Sequence, residues 1–441
     1  MQHDKTTLSD LSIFTTDGRD VFSLIDHTTT QSGRDMLRKY IQQPPVSFVA
    51  LQEMQDVVKF LYHHLDVWPS VISNGTLVML DKYFETADAT SAPPSRFNLL
   101  IGSLFSKLFN KNEIFFTQFS LTHIADLLKG CQQLTLLLKG GDLPPLLERE
   151  LRAIEDEMQH RLTEQLLLVD KKTPYKELAK LNYRVRREMK HAIYRLIYHY
   201  SRLDAWQSMA RATVMNNWVF PQLCDASAIC MDANELYHPL LPEPIPYSIS
   251  FDHQKNFMVL TGANMSGKTT FMRALGVSAL LAHTGMGVPA KSLRISFLQG
   301  IITNMHVEDN LMKGESYFFA EVLRMKHTAE KLLQDGNHLV LMDELFKGTN
   351  VHDAYECTRA IVEGLLQRPQ HMMILSTHLY EVAQHFNDRK DILFKYFVTQ
   401  MDDKGNYRFS YKLHEGISND RMGYRILQKE GVIDMLKQHI G

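Results

Sequence analysis

Glycine is absent from residues 142–261 of this 441-residue chain, a stretch bounded by Gly141 and Gly262. A segment of that length without glycine has few sites for tight left-handed turns, so it reads as long helices rather than as a series of hairpins. Long apolar runs are missing as well. None approaches the ~20 residues that span a bilayer, which excludes a membrane helix. The N-terminus, Met1-Gln-His-Asp-Lys, lacks the apolar core of a secretory signal. Cysteine is scarce: Cys131, Cys224, Cys230 and Cys357 are widely spaced with no Cys-x-x-Cys pair. That favours buried thiols over a disulfide or zinc framework, and a cytoplasmic protein is the expectation. Charge of one sign is also lacking. The net charge of −2 makes no global case for nucleic acid, so any such case must be local. Internal repeats and low-complexity tracts are absent.

Within the glycine-free stretch, residues 146–169 and 175–214 are predicted as helices rich in Leu, Glu, Lys, Arg and Met. Thr173 is placed as N-cap of the second, with Pro174 in its first turn. The next proline is Pro221, so this helix can run about 40 residues, or roughly 60 Å. Leu178, Leu181, Val185, Met189, Ala192 and Leu196 follow the spacing of one buried stripe. Such a helix suggests an arm. The first 140 residues also read as helical, broken at 43–45, 69–75 and 92–94. From about Asp225 short apolar runs alternate with turns and helical segments, the texture of an α/β domain. The boundary is placed within 225–237, giving a helical domain 1–230 and an α/β domain 231–441.

The chemistry concentrates in the second half. The apolar run Phe257–Leu260 leads into Gly262-Ala263-Asn264-Met265-Ser266-Gly267-Lys268-Thr269, followed by a helical segment. Glycines let backbone N–H groups turn inward around phosphates. Lys268 reaches the β- and γ-phosphates, Thr269 offers a hydroxyl to Mg²⁺, and the helix aims its positive end at the same anion. A second strand, Leu339–Met342, ends in Asp343-Glu344. Asp343 suits a Mg²⁺ held through water, and Glu344 suits the orientation of an attacking water. An acidic pair after a strand is weak by itself and gains weight about 75 residues after a phosphate loop. A third strand, Met372–Leu375, runs into Ser376-Thr377-His378, where a histidine can donate to a γ-phosphate. Between these lies Asp309–Glu321, in which Gly314 and Ser316 open a helix over 318–333. Physics alone does not choose between a further anion site and a plain helix cap there.

The segments Thr261–Phe271, Asp309–Phe318, Leu341–Thr349 and Ser376–His378 together resemble, in order and spacing, the ATPase domain of the MutS mismatch-repair family. Tyr237–Leu240 resembles the entry to that domain. Gly416–Ser418 through Gly423-Tyr424 and Gly431-Val432 resemble its dimer-contact segment. More loosely, Leu24–Arg34 and Leu37–Pro44 are similar to the start of the family's core domain, and Leu203-Asp204 through Arg211-Ala212 to the end of its returning lever helix. The resemblance implies an α + α/β fold, an all-helical core and lever followed by an ABC-type P-loop ATPase domain. It implies ATP and Mg²⁺ as ligands, held by residues 262–269 with Thr270. Lys268, Asp343, Glu344 and His378 would act within one copy, and Ser316 would reach the γ-phosphate of a second copy in a homodimer. Departures are Ala263 for Pro, Ser266 for Gly, Glu315-Ser316-Tyr317 for Arg-Ser-Thr and Phe346-Lys347 for Gly-Arg. Only about 20 residues precede the core segment, so the mismatch-reading and connector domains are not expected within the chain.

Local charge supplies the case for double-stranded DNA. Arg184, Arg187, His191 and Arg195 share a helical face with Lys190 nearby, and only Glu177 and Glu188 oppose the basic residues of 176–202. Phosphate binding needs such a face and no base reading; a solvated lever surface has the same appearance. The readings carried forward are an ATP-driven DNA clamp acting on mismatched or branched DNA and, alternatively, a nucleotide-binding dimeric scaffold on another target. A transporter ATPase is disfavoured because Lys-Gly-Glu-Ser stands where the Leu-Ser-Gly-Gly-Gln type signature would be.

Overall fold

The computed structural model describes residues 1–15, 19–86, 111–170, 172–225, 229–305, 317–401, 407–418 and 432–437. They divide into two compact units, one of residues 25–40 and 53–214, the other of 1–24, 41–52 and 215–441. The division is discontinuous in sequence, where a single boundary within 225–237 was expected.

The helices in chain order are α1 Lys5–Asp10, α2 Val21–Ile25, α3 Gln31–Gln42, α4 Phe48–His63, α5 Asn74–Glu85, α6 Lys111–Thr135, α7 Pro145–Met158, α8 Thr163–Leu167, α9 Tyr175–Arg184, α10 Lys190–Met215, α11 Lys268–Ala282, α12 Tyr317–Leu332, α13 Val351–Leu365, α14 Tyr380–His385 and α15 Val432–Lys437. The long helix of the helical unit is present: a π-helical turn, Val185–Met189, joins α9 to α10. All six residues of its predicted stripe are buried. Two local expectations fail. Helix 146–169 is interrupted between α7 and α8, where the Gln159 N–H turns back to the Asp156 carbonyl. Thr173 is not the N-cap; its hydroxyl accepts from the Asp170 N–H, and Pro174 precedes the helix with no side-chain cap. A turn-forming aspartate competed for the threonine, a contest that spacing does not reveal.

Two segments far apart in sequence are joined by Asp204 of α10. Its carboxylate accepts from the Thr29 and Thr30 N–H groups at 2.9 Å each and from the Thr30 hydroxyl at 2.7 Å. It thereby holds Thr30, whose hydroxyl accepts from the Gly33 N–H at 3.1 Å and caps the start of α3. Burial pushes its carboxyl up from the ordinary aspartate value, against the pull of these bonds.

The other unit holds two sheets. The strands are β1 Gln222–Cys224, β2 Met231–Leu236, β3 Tyr247–Phe251, β4 Phe257–Thr261, β5 Ser292–Ser296, β6 Gly300–Asn304, β7 His338–Asp343, β8 Met372–Ser376, β9 Ile392–Met401 and β10 Tyr407–Glu415. One sheet has the order β10-β9-β4-β8-β7-β6, all parallel except the edge strand β10. Its strands β4, β6 and β8 are buried throughout, as parallel strands covered on both faces must be. The other sheet, β1-β5-β2-β3, is mixed. Only Cys131 fulfils the expectation of a buried thiol; Cys224, Cys230 and Cys357 are half-buried. The N-terminus belongs with this unit because Gln2 bridges Gly300 of β6. Asp10 binds the Thr303 hydroxyl at 2.7 Å and pairs with Arg324 at 2.8 Å.

Candidate functional site

The parallel order β4-β8-β7 brings three strand ends side by side. Leu260 and Asp343 both register with Ser376, so the turns beginning at Gly262, Glu344 and Thr377 emerge at one edge. The carboxyl edge of such a sheet is where ligands bind, because loops and helix N-termini converge there.

The loop after β4 needs its glycines. Gly262 and Gly267 have φ of +141° and +109°, and Met265 lies at +69°. A Cβ at Gly267 would sit 3.2 Å from the Tyr411 ring, and one at Gly262 3.0 Å from the Ser266 hydroxyl. Gly267 begins α11 with no side-chain cap, so the first-turn N–H groups of this fifteen-residue helix face the loop without an intrahelical acceptor. Lys268 curls over the loop, its Nζ donating to the carbonyls of Gly262 at 2.8 Å and Ala263 at 3.1 Å. Burial lowers its pKa, with Glu344 and Asp343 opposing.

Thr269 donates its hydroxyl to Asp343 Oδ2 at 2.6 Å. Asp343 Oδ1 is buried with no partner among the described residues, as is Ser266 Oγ. Glu344 sits in left-handed backbone (φ +53°) at the end of β7. Lys347 Nζ lies 3.0 Å from it, and Lys268 Nζ and His378 Nδ1 each 3.6 Å. His378 first, then Lys347 and Lys268, hold its carboxyl down at about 2 against burial. The stabilisation from this depressed carboxyl is therefore complete above the ordinary glutamate value of 4.5 and is lost as pH falls through about 2. Urea unfolding of Glu344→Gln and the parent, followed by circular dichroism, is expected to show the parent more stable at neutral pH and the gap closing on acidification between those two values. A gap independent of pH would refute the assignment.

Lys268, Thr269, Asp343, Glu344 and Lys347 line a cavity of about 640 Å³, together with Leu241, Ile245, Tyr247 and Tyr411. That volume suits a ligand the size of a nucleotide. A larger cavity, about 810 Å³, belongs to the helical unit around Leu168, Thr173 and Leu181 and shares no residue with the loop.

Residues 6–215 match the family model of MutS domain III, and residues 258–438 match that of MutS domain V. The chain belongs to the MutS family. Its relatives include the protein named DNA mismatch repair protein MutS of Persephonella marina, 29% identical over 292 residues, covering 65% of this chain and 33% of that protein. The protein of the same name from Streptococcus pyogenes serotype M5 is 29% identical over 236 residues, covering 52% of this chain and 27% of the relative. The chain thus spans about a third or less of the length of these curated relatives.

Of the residues singled out in this MutS-family sequence, Gly262 to Thr270, Asp343, Glu344 and His378 meet at one edge of the sheet. Ser316 lies outside the described residues, as do Gly423, Tyr424 and Gly431. Lys347 joins the site as a direct partner of Glu344; its departure from the family pattern was the signal for it. Tyr247 and Tyr411 gave none, since the second comes from the edge strand β10. The basic helical face is partly neutralised. Arg195 pairs with Glu157 of α7, Arg184 with Glu188 at 3.5 Å, and Arg187 lies over the Tyr183 ring at 4.8 Å. Arg186, within the π turn, donates to the Tyr83 carbonyl at 2.6 Å. Counting acids along one helix missed those that another helix supplies. No described helix is long and apolar enough to cross a membrane.

Proposed function

We propose that this chain is an ATP-hydrolysing switch of the mismatch-repair type, built as a P-loop ATPase domain (231–441) behind a helical core and lever (1–230). Two copies pair through the ATPase domain, and the long helix carries the change to double-stranded DNA in the cytoplasm. The observation that carries this reading is the convergence of Lys268, the Thr269–Asp343 pair and Glu344 beside an uncapped helix N-terminus.

The residues fit the ligands. The N–H groups of residues 262–270 and the Lys268 ammonium meet phosphate oxygens. The Thr269 hydroxyl and the unpartnered Asp343 oxygen are hard oxygen donors that would hold Mg²⁺. Bound there, the ion would supply positive charge to offset that of the phosphates. Glu344, ionised at neutral pH, orients water toward the γ-phosphate, and His378 donates to that phosphate. Ser316 of a second copy closes the site from the other side. Leu241, Ile245 and Tyr247 offer an apolar wall to the base.

On the helical arm Arg184, Arg187, Lys190 and Arg195 meet DNA phosphates, with Arg195 exchanging Glu157 for phosphate. The same ion pairs support a second reading, a nucleotide-binding dimeric regulator acting on a protein or another nucleic-acid target. One assay separates them: ATP turnover and filter binding titrated with homoduplex, mismatched and four-way DNA. The expected result is Mg²⁺-dependent turnover that DNA stimulates, with DNA binding that falls steeply with salt. Glu344→Gln is expected to retain ATP and to lower turnover about 10²–10⁴-fold. Turnover indifferent to every DNA would favour the regulator; failure to bind ATP would defeat both readings.

A further inference from the structure

The turn after β7 holds a shape that its own residues disfavour. Glu344 and Phe346 both lie in left-handed backbone, at φ +53° and +60°. Residues with side chains stay in that region only where their neighbours over-determine it. The neighbour here is Glu321 of α12, whose side chain is buried. Its two carboxylate oxygens accept one main-chain N–H each, Oε1 from Lys347 and Oε2 from Gly348, both at 3.1 Å. Gly348 makes the fit close. A Cβ there would stand 2.6 Å from the Tyr317 ring and 2.7 Å from the Phe318 nitrogen, so no side chain fits between the turn and the start of α12. The buried ring of Phe346 lies 5.8 Å from that of Phe318. The helix is anchored in turn. Arg324, three residues beyond Glu321, donates to the Asn304 side chain at 2.9 Å and to the Thr303 carbonyl and Asp10 at 2.8 Å each. Asn304 ends β6 and registers with Met342 of β7, so helix and turn are fixed to the same pair of strands.

We propose that Glu321 is a positioning residue for Glu344: by clamping the Lys347 and Gly348 N–H groups to α12, it keeps Lys347 against Glu344 and fixes the direction of the Glu344 carboxylate. The role rests on the reading of this site as an ATPase and deepens it. Glu321 does not line the nucleotide-sized cavity, whereas Glu344 and Lys347 do. It lies behind them, in a recess shared with Asn304, Tyr317 and Arg324, so it acts through the turn and not on the ligand. Its removal leaves two N–H groups without their carboxylate acceptor and lets Glu344 and Phe346 relax toward ordinary backbone. The Glu344 carboxylate then swings away from the place where it orients water. A misplacement of about 1 Å in such a group costs on the order of 100-fold in rate. Nucleotide affinity has a different source. Lys268 and Thr269 follow β4 at the start of α11, and neither touches Glu321. Loss of the clamp therefore lowers turnover and spares binding.

The test uses the full chain with Glu321→Ala and Glu321→Gln, each folded by circular dichroism, in fluorescent-nucleotide titration and phosphate release with Mg²⁺ and ATP. Glu321→Ala is expected to keep ATP affinity and KM within about threefold of the parent and to lower kcat about 10–100-fold. Glu321→Gln keeps the side-chain length and one acceptor oxygen, so its kcat is expected to fall between, and it carries the test if the alanine variant does not fold. Dependence on Glu344 separates positioning from a general loss of structure. In a Glu344→Gln background, adding Glu321→Ala is expected to change the single-turnover rate by less than about twofold, because the carboxylate it positions is gone. A loss that multiplies in that background would overturn the proposal, as would a fall in ATP affinity as large as the fall in kcat. A parent that hydrolyses ATP, with Glu321→Ala (or Glu321→Gln where alanine does not fold) turning over at the same rate, would overturn this role alone. A parent without turnover would defeat the ATPase reading and this role with it.

Discussion

Lys268→Ala is expected to abolish detectable ATP binding at concentrations that saturate the parent chain and to lower hydrolysis at least about 100-fold. The reason lies in what surrounds the ammonium. Its side chain is only 5% exposed, held above the loop by two carbonyl oxygens and facing Glu344. In a water-poor site a fixed positive charge acts on phosphate far more strongly than it would in solvent. The uncapped N–H groups of α11 remain in the variant, so it isolates the ammonium from the helix terminus. Lys268→Arg is not expected to rescue, because a planar fork cannot occupy the space of a compact ammonium beneath the Gly262 carbonyl. Fluorescent-nucleotide titration and phosphate release, with circular dichroism as the control for folding, decide it. A Lys268→Ala chain that binds ATP like the parent would place the nucleotide elsewhere.

Asp204→Ala is expected to destabilise the helical unit by about 3–5 kcal/mol. It removes the shared acceptor of the Thr29 and Thr30 N–H groups and the Thr30 hydroxyl. Each donor left unsatisfied in the interior carries a desolvation cost of about 1–3 kcal/mol. Asp204→Asn keeps one acceptor oxygen and is expected to fall between alanine and the parent. Gly33 provides an independent arm. A Cβ there would stand 2.2 Å from Asp204 Oδ2, so Gly33→Ala crowds the same carboxylate and is expected to cost about 1–3 kcal/mol. Because both changes strain one cluster, the double variant is expected to lose less than the sum. Urea unfolding followed by tryptophan fluorescence reads this unit, since Trp206 lies two residues from Asp204 on the same helix and is fully buried. A loss below about 1 kcal/mol for Asp204→Ala would mean that water replaces the carboxylate.

The loop at 262–269 was legible because its signature is contiguous: glycines, lysine and threonine stand at neighbouring positions. Strands β4, β7 and β8 were legible because strands buried on both faces are continuous apolar runs. The stripe of the long helix followed from period alone. What escaped depended on partners distant in sequence. Glu157 and Glu150 of α7 reach Arg195 and Arg202, which changes the meaning of a basic helical face. The break between α7 and α8 carries neither glycine nor proline, so no local residue announces it. The four-stranded sheet draws β1 and β2 to opposite sides of β5, some 60 residues further along the chain, a pairing that no local residue announces.

Sequence by itself determined the elements whose cause is local: the phosphate-type loop, the acidic strand end and the apolar stripe of the arm. Only the tertiary structure decided which charges are already spent on one another, that Lys347 joins Glu344, and that Asp204 holds the N-cap threonine of a helix some 170 residues before it. The physical reason is range: propensity and periodicity act within a few turns of chain, whereas ion pairing and burial act between whatever groups the packing brings together.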